Sequence, residues 1–329
     1  MFNVQEESLN WALSHAIEDG DTDLLPTPFE YKAIKHCWTE MRKYLAEINI
    51  LKHNTRLQRH ILAPKSRYGF RTITQLDPFD FLLYTAIVYE IGEDLEPRRV
   101  EKSEEVVFSY RFSPSDNGSM FDRNYGYSSF LEKTKSIIEK ENPQYVVVTD
   151  ISDFYLRIYH HRLENALRIA TDKTNHVKAL LNLISGWNET ETFGIPIGSD
   201  TSRMLAEVTI ADVDESLLAN NIKFIRYNDD YRIFCSSRNH AYKSLSLLAN
   251  VLFTNHGLTL NSRKTNVLNA KDFSDAYLST PEQQEKDELE KQFYQLAEDI
   301  GLDSWYDEIH YEELTEEQKT EINSMNLDG

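Results

Sequence analysis

The sequence predicts an α+β fold: a split-βαβ, ferredoxin-like sheet packed on helices, with an acidic helical tail. Three observations predict it. Within a strand expected at 145–150, residues 146–148 are a continuous apolar run that leads to an acid, Asp150, the pattern of a strand covered on both faces. Two short apolar runs, 223–227 and 231–235, flank Asn228-Asp-Asp230 as the arms of a β-hairpin flank its turn. Helical periodicity fills the intervals, and a last strand follows at 264–268, which completes the strand–helix–hairpin–helix–strand order. The chain has 329 residues, of which 40% are hydrophobic and 12% aromatic. That suffices for a large core, leaves room for two domains and excludes wholesale disorder.

Taken in order, residues 11–18 and 31–50 read as amphipathic helices. Residues 63–74 are punctuated by Pro and Gly and then alternate, as a strand–turn–strand does. Pro78 opens a helix over 79–91, and 128–140 is helical. After the strand at 145–150, helices are expected at 161–170 and 176–187, with a loop at 194–198. One helix is expected over 200–219, capped by Thr201 or Asp200. Another covers 239–254 and ends at Gly257. A tail helix is expected at 281–297.

The formal net charge of −19 argues at first against a nucleic-acid partner. It is concentrated, however, in residues 271–329, with 18 acids and 4 bases, whereas residues 1–270 carry 36 acids and 31 bases. Residues 48–76 contain Lys52, Arg56, Arg59, Lys65, Arg67 and Arg71 and no acid. That strip is either a solvated face or a surface for phosphates. Two distant cysteines, Cys37 and Cys235, exclude a disulfide framework and point to a reducing, cytoplasmic setting. No apolar run reaches membrane-spanning length, and residues 1–7 lack the basic region of a secretory leader.

The chemistry centres on acids at strand ends. Asp150 closes the apolar strand, and Asp229 and Asp230 occupy the hairpin turn. Singly, each has an ordinary explanation as a cap or turn residue. In a split-βαβ sheet, however, the first strand and the hairpin are neighbours, so three carboxylates converge and need a counter-charge. Oxygen-ligated Mg²⁺, or Mn²⁺ in its place, is the usual remedy. Two such ions about 4 Å apart stabilise the attacking and leaving oxygens of an in-line phosphoryl displacement. The main-chain carbonyl of Ile151 is a further candidate ligand.

The segments Asp150-Ile-Ser-Asp-Phe-Tyr155, Gly194-Ile-Pro-Ile-Gly198 and Tyr227-Asn-Asp-Asp230 resemble, in order, motifs A, B and C of reverse transcriptases. Gly257-Leu-Thr-Leu-Asn-Ser-Arg-Lys-Thr265 looks like motif D, and Pro64-Lys65 through Gly69-Phe-Arg71 resembles the basic fingers motif. The resemblance implies a right-hand polymerase architecture: an N-terminal helical segment (1–24), fingers (25–144), a palm (145–270) and the acidic tail (271–329). It makes Asp150, Asp229 and Asp230 the catalytic metal ligands, and Lys264 the general acid for departing pyrophosphate. It places Lys65, Arg71, Asp153, Phe154, Tyr155, Ile197 and Gly198 around the dNTP, with Tyr155 as a steric gate against a ribose 2′-hydroxyl. Lys52, Arg56, Arg59, Arg67, Arg111, Arg203 and Tyr227 are then candidates for contacts with an RNA or DNA template or product, with a structural ion pair the equal alternative for Arg111 and Arg203.

Ile197 departs from the family pattern, which has Gln there, so a side-chain hydrogen bond from this position is lost. Residues 199–207 and 107–112 are similar to bacterial defence-type reverse transcriptases, of the abortive-infection group and retron relatives. That implies RNA-directed DNA synthesis in antiphage defence, in an oligomer or with a partner defence protein. The acidic stretch after Leu268 is poorly suited to gripping duplex product as a thumb does. Two alternatives stay open: template-independent, protein-primed synthesis at the same site, and a retired palm acting as scaffold or sensor.

Overall fold

The computed structural model describes residues 1–23, 25–66, 69–188 and 191–278. The side chains of residues 64–66, 69 and 71 lie outside that description, as does the expected tail helix at 281–297.

Four strands form one antiparallel sheet: β3 (Tyr145–Asp150), β4 (Lys223–Tyr227), β5 (Asp230–Cys235) and β6 (Asn266–Asn269), in the order β4-β5-β3-β6. This is the split-βαβ order expected from the sequence. Both faces of the sheet are covered, so β3 presents apolar side chains to each. Val147 belongs to the main core, with Tyr231, Ile233 and Phe224, whereas Val146 faces a second cluster with Ile225 and Phe234. The helix α11 (Arg238–Val251) packs on β3, β5 and β6. On the second face lie Phe130 and Ile137 of α5 (Tyr127–Glu141) and Phe273 of α12 (Ala270–Tyr277), a helix the sequence reading did not anticipate. Full burial of each such side chain contributes about 1.5–3 kcal/mol.

The first half is built on α4 (Pro78–Leu95), which is buried almost all round and begins where the Asp77 side chain accepts from Phe79 N–H at 3.0 Å. Around it pack α1 (Glu6–Glu18), α8 (Thr174–Asn188) and α9 (Asp200–Thr209). The expected helix over 31–50 divides at Cys37 into α2 (Glu30–His36) and α3 (Trp38–Glu47). The one expected over 200–219 divides after Thr209 into α9 and α10 (Ala211–Ala219). Its cap is Ser199, whose Oγ accepts from Ser202 N–H, and not Thr201 or Asp200. The strand–turn–strand is β1 (Arg59–Ser66) and β2 (Gly69–Gln75), a separate antiparallel ribbon. A short α6 (Phe154–Arg157) follows β3, before α7 (His160–Ala170).

Candidate nucleotidyl-transfer site

Pairing between β3 and β5 sets Asp150 directly opposite Asp230, and the main-chain N–H of Ile151 donates to the Asp229 carbonyl at 3.1 Å. The strand end and the hairpin turn therefore form one unit. Asp150 is 3% exposed. One of its oxygens, Oδ2, accepts from Lys264 Nζ at 2.6 Å, and Oδ1 has no hydrogen-bond partner among the described residues. Burial, then the charges of Asp230 and Asp150, push the Asp229 carboxyl up to about 7. Burial alone would lower the Lys264 ammonium, but the hydrogen bond to Asp150 and the three carboxylates outweigh it and raise it.

Asp150, Ile151 and Asp229 border a cavity of about 540 Å³. Phe70 and Thr72 of β2 form one wall, and residues 150–156 another. Ile197, Gly198, Arg203, Asn228 and Arg263 line it as well. Gly198 has φ +110°, and a Cβ there would stand 2.1 Å from Thr22 Oγ1, so only glycine fits.

A sequence model of the family described as reverse transcriptase (RNA-dependent DNA polymerase) matches residues 98–318. The chain belongs to the reverse transcriptase family. No curated protein sequence matches it. Among solved structures it is similar to apo telomerase from Candida tropicalis, at 14% identity and a TM-score of 0.46, over 74% of this chain and 50% of that one. It is also similar to telomerase from Candida albicans in complex with a TWJ fragment of telomeric RNA, at 13% identity and a TM-score of 0.47, over 74% and 48%. The chain thus spans about half the length of these structures.

Reverse transcriptases use divalent metal ions, and the acids here fit one. A buried carboxylate oxygen lacks a partner among the described residues, and a second acid holds its proton more tightly because of its burial and then of its acidic neighbours. Asp150, Asp229 and Asp230 do not all close to within 4.8 Å of one another, and Lys264 supplies the counter-charge on Asp150. One group among the described residues does close to that spacing: His15, Asp19 and Asp200. His15 Nδ1 lies 2.9 Å from the Gly118 carbonyl and 3.2 Å from Asp19, so a ring proton already fills the place of a cation.

The reverse transcriptase motifs place several predicted residues at the cavity and remove others. Asp153 is exposed there, in the left-handed region at φ 48°. Tyr155 lines the cavity and donates its hydroxyl to Asn228 Oδ1 at 3.1 Å. Phe154 borders the cavity as well, with a side chain that is 3% exposed and packs in the main core. Of the two readings of Arg111 the structure shows the ion pair and not the phosphate contact: it is fully buried, donating to the Val107 and Val100 carbonyls and to Glu96. Arg56 stacks on Phe79, pairs with Asp77 and Asp80 and gives its main-chain N–H to Asp80, which is a structural role. Arg203 is at the cavity but is paired with Asp200 and Asp23. Tyr227 is half-buried, its ring against Tyr110 and Tyr127. Lys52 and Arg59 are exposed. The Lys65 and Arg71 side chains, and all of Arg67, lie outside the described residues.

Sequence reasoning missed Asn228 and Arg263 as site residues. Both stand inside the quoted motifs beside residues that were chosen, so proximity to Asp229 and Lys264 was the available signal.

Behind the hairpin turn lies a buried ionic network that was not foreseen. Arg226 donates to Asp214 at 2.6 and 2.9 Å and to Glu207 at 2.9 and 3.0 Å. Arg99 donates to Glu207 at 2.7 Å, and Ser109 Oγ at 2.5 Å. Burial would raise the Glu207 carboxyl, but Arg226 and Arg99 hold it below its usual range. At Asp214 burial wins over Arg226, and the carboxyl is raised.

Proposed function

We propose that this chain is a DNA polymerase of the right-hand type that transfers deoxynucleotides at Asp150, Asp229 and Asp230. The observation that carries the reading is the register that sets Asp150 opposite Asp230, with Asp229 at the adjoining turn and a cavity of nucleotide size beside them. In this reading residues 25–144 are fingers and 145–270 the palm.

Asp150 and Asp229, with Asp230 and the Ile151 carbonyl, would hold two Mg²⁺ ions, or Mn²⁺. When bound, such ions lower the pKa of the attacking hydroxyl and neutralise charge on the leaving phosphate. The chain's own residues do the rest. Gly198, whose missing side chain makes room for Thr22, brings main chain to the cavity wall, and Tyr155 closes the sugar side of the cavity. Arg203 and Arg263 bring positive charge to a cavity otherwise rich in carboxylates. Lys264 carries a proton beside Asp150 and is the group placed to deliver it to pyrophosphate. Lys65 and Arg71 would hold the triphosphate.

Purified protein with Mg²⁺ and labelled dNTPs should extend a primer on RNA, and Asp229→Ala/Asp230→Ala should not. Equal extension by the double variant would refute the site. A second reading, template-independent or protein-primed synthesis, is favoured by Ile197, a half-buried apolar residue lining the cavity. Product sequence separates the two: complementarity to a supplied RNA supports templating, and biased sequence opposes it. A retired site fits less well, since it need not keep a buried unpartnered carboxylate oxygen beside two further acids. A role in bacterial antiphage defence rests on residues 199–207 and 107–112. Loss of phage protection on Asp229→Ala/Asp230→Ala in a bacterial host would support it, and unchanged protection would refute it.

A further inference from the structure

We infer that Asn228 is a specificity-determining residue, a latch that holds the gate tyrosine Tyr155 in place and so sets discrimination between deoxy- and ribonucleotides. The inference rests on the polymerase reading above.

Asn228 lies in the left-handed region, φ 53°, where asparagine is among the few tolerated non-glycine residues. Both of its main-chain polar groups are held from behind. Its N–H donates to Ser109 Oγ at 2.8 Å, and its carbonyl accepts from Arg226 Nη1 at 2.8 Å. Ser109 and Arg226 are themselves fixed by Glu207, which is fully buried. The Asn228 side chain is thereby aimed forward, and its Oδ1 accepts the Tyr155 hydroxyl at 3.1 Å. Both Tyr155 and Asn228 line the cavity.

A steric gate discriminates only if the ring cannot move aside. Tyr155 stands beside Phe154, with ring centroids 5.4 Å apart, which leaves the hydroxyl end to be fixed by Asn228. The hydrogen bond joins the sugar wall of the cavity to the turn that carries Asp229, so ring position and acid position are set by one anchor. Asn228 is a positioning residue here: it acts on the sugar through Tyr155.

The test is the ratio of kcat/KM for a dNTP to that for the matching rNTP, measured for the full chain with Mg²⁺, primer and template. Asn228→Gly keeps the left-handed backbone and deletes the acceptor. Tyr155→Phe keeps the ring and deletes the donor. Each should lower the ratio roughly three- to tenfold, the weight of one neutral hydrogen bond, and the double variant should lower it no further. A merely structural role would reduce both kcat/KM values together and leave the ratio unchanged. An unchanged ratio in Tyr155→Phe, or independent additive losses in the pair, overturns the latch while leaving the polymerase reading intact. Absence of incorporation by the wild type overturns both. Should Asn228→Gly fail to fold, Tyr155→Phe decides alone.

Discussion

Replacing Glu207 with alanine tests whether the hairpin that carries Asp229 depends on charges enclosed behind it. Glu207 is 0% exposed and accepts four hydrogen bonds, from Arg99, Ser109 and twice from Arg226. Without it, Arg226 keeps Asp214 and Arg99 keeps Glu96, but each loses a buried partner. Removing one side of such a pair costs about 3–5 kcal/mol. With a urea slope of about 2–3 kcal/mol per molar, the unfolding midpoint should fall by about 1–2 M at pH 7. The pH dependence has a definite sign. The folded Glu207 pKa lies below its ordinary value, because Arg226 and Arg99 outweigh burial. Its contribution is therefore fully present above the unfolded value of about 4.3 and is lost as pH falls through the folded value. The gap between wild type and Glu207→Ala should be constant from pH 8 to 6 and close in stronger acid. A midpoint loss below about 0.3 M at neutral pH, or a gap that widens on acidification, would refute the reasoning.

Three further outcomes are expected. Asp150→Asn keeps the side-chain shape but removes the charge that Lys264 and a cation share, so primer extension should fall roughly a hundredfold or more while thermal stability changes little. Gly198→Ala places a Cβ against Thr22 at φ +110° and should cost about 1–3 kcal/mol, read as a lower thermal midpoint. Arg111→Ala should destabilise the fold by about 3 kcal/mol, since Glu96 and two carbonyls lose a buried partner. The salt dependence of nucleic-acid binding should be unaltered by Arg111→Ala, a steeper or shallower slope showing that the guanidinium meets phosphate after all.

The sheet was legible because its signals are local. The run 145–150 matches β3 to the residue, and the polar residues 228–230 mark the hairpin, although its turn is only Asn228 and Asp229 and Asp230 already begins β5. The acids could be paired once the sheet order was assumed, since register then follows from the hairpin. What could not be read was which cations turn inward. Arg111, Arg226 and Arg99 look in sequence like any basic residue, and their acids, Glu96, Glu207 and Asp214, lie up to 108 residues away. Burial of an ion network is a property of tertiary packing and leaves no period or spacing in the chain. The division of 200–219 was missed for a related reason: apolar periodicity runs through it, and the break after Thr209 follows from packing.

The two-sided cover of β3 has a mechanical consequence. A strand clasped by Val146 on one face and Val147 on the other cannot slide, because a shift of one residue would exchange those faces. The strand that ends in Asp150 therefore behaves as a fixed jaw. In the proposed polymerase, any adjustment to the radius of a cation held there would come from side-chain rotation, or from bending of the short turn at Asn228 and Asp229, the movable jaw of the vice.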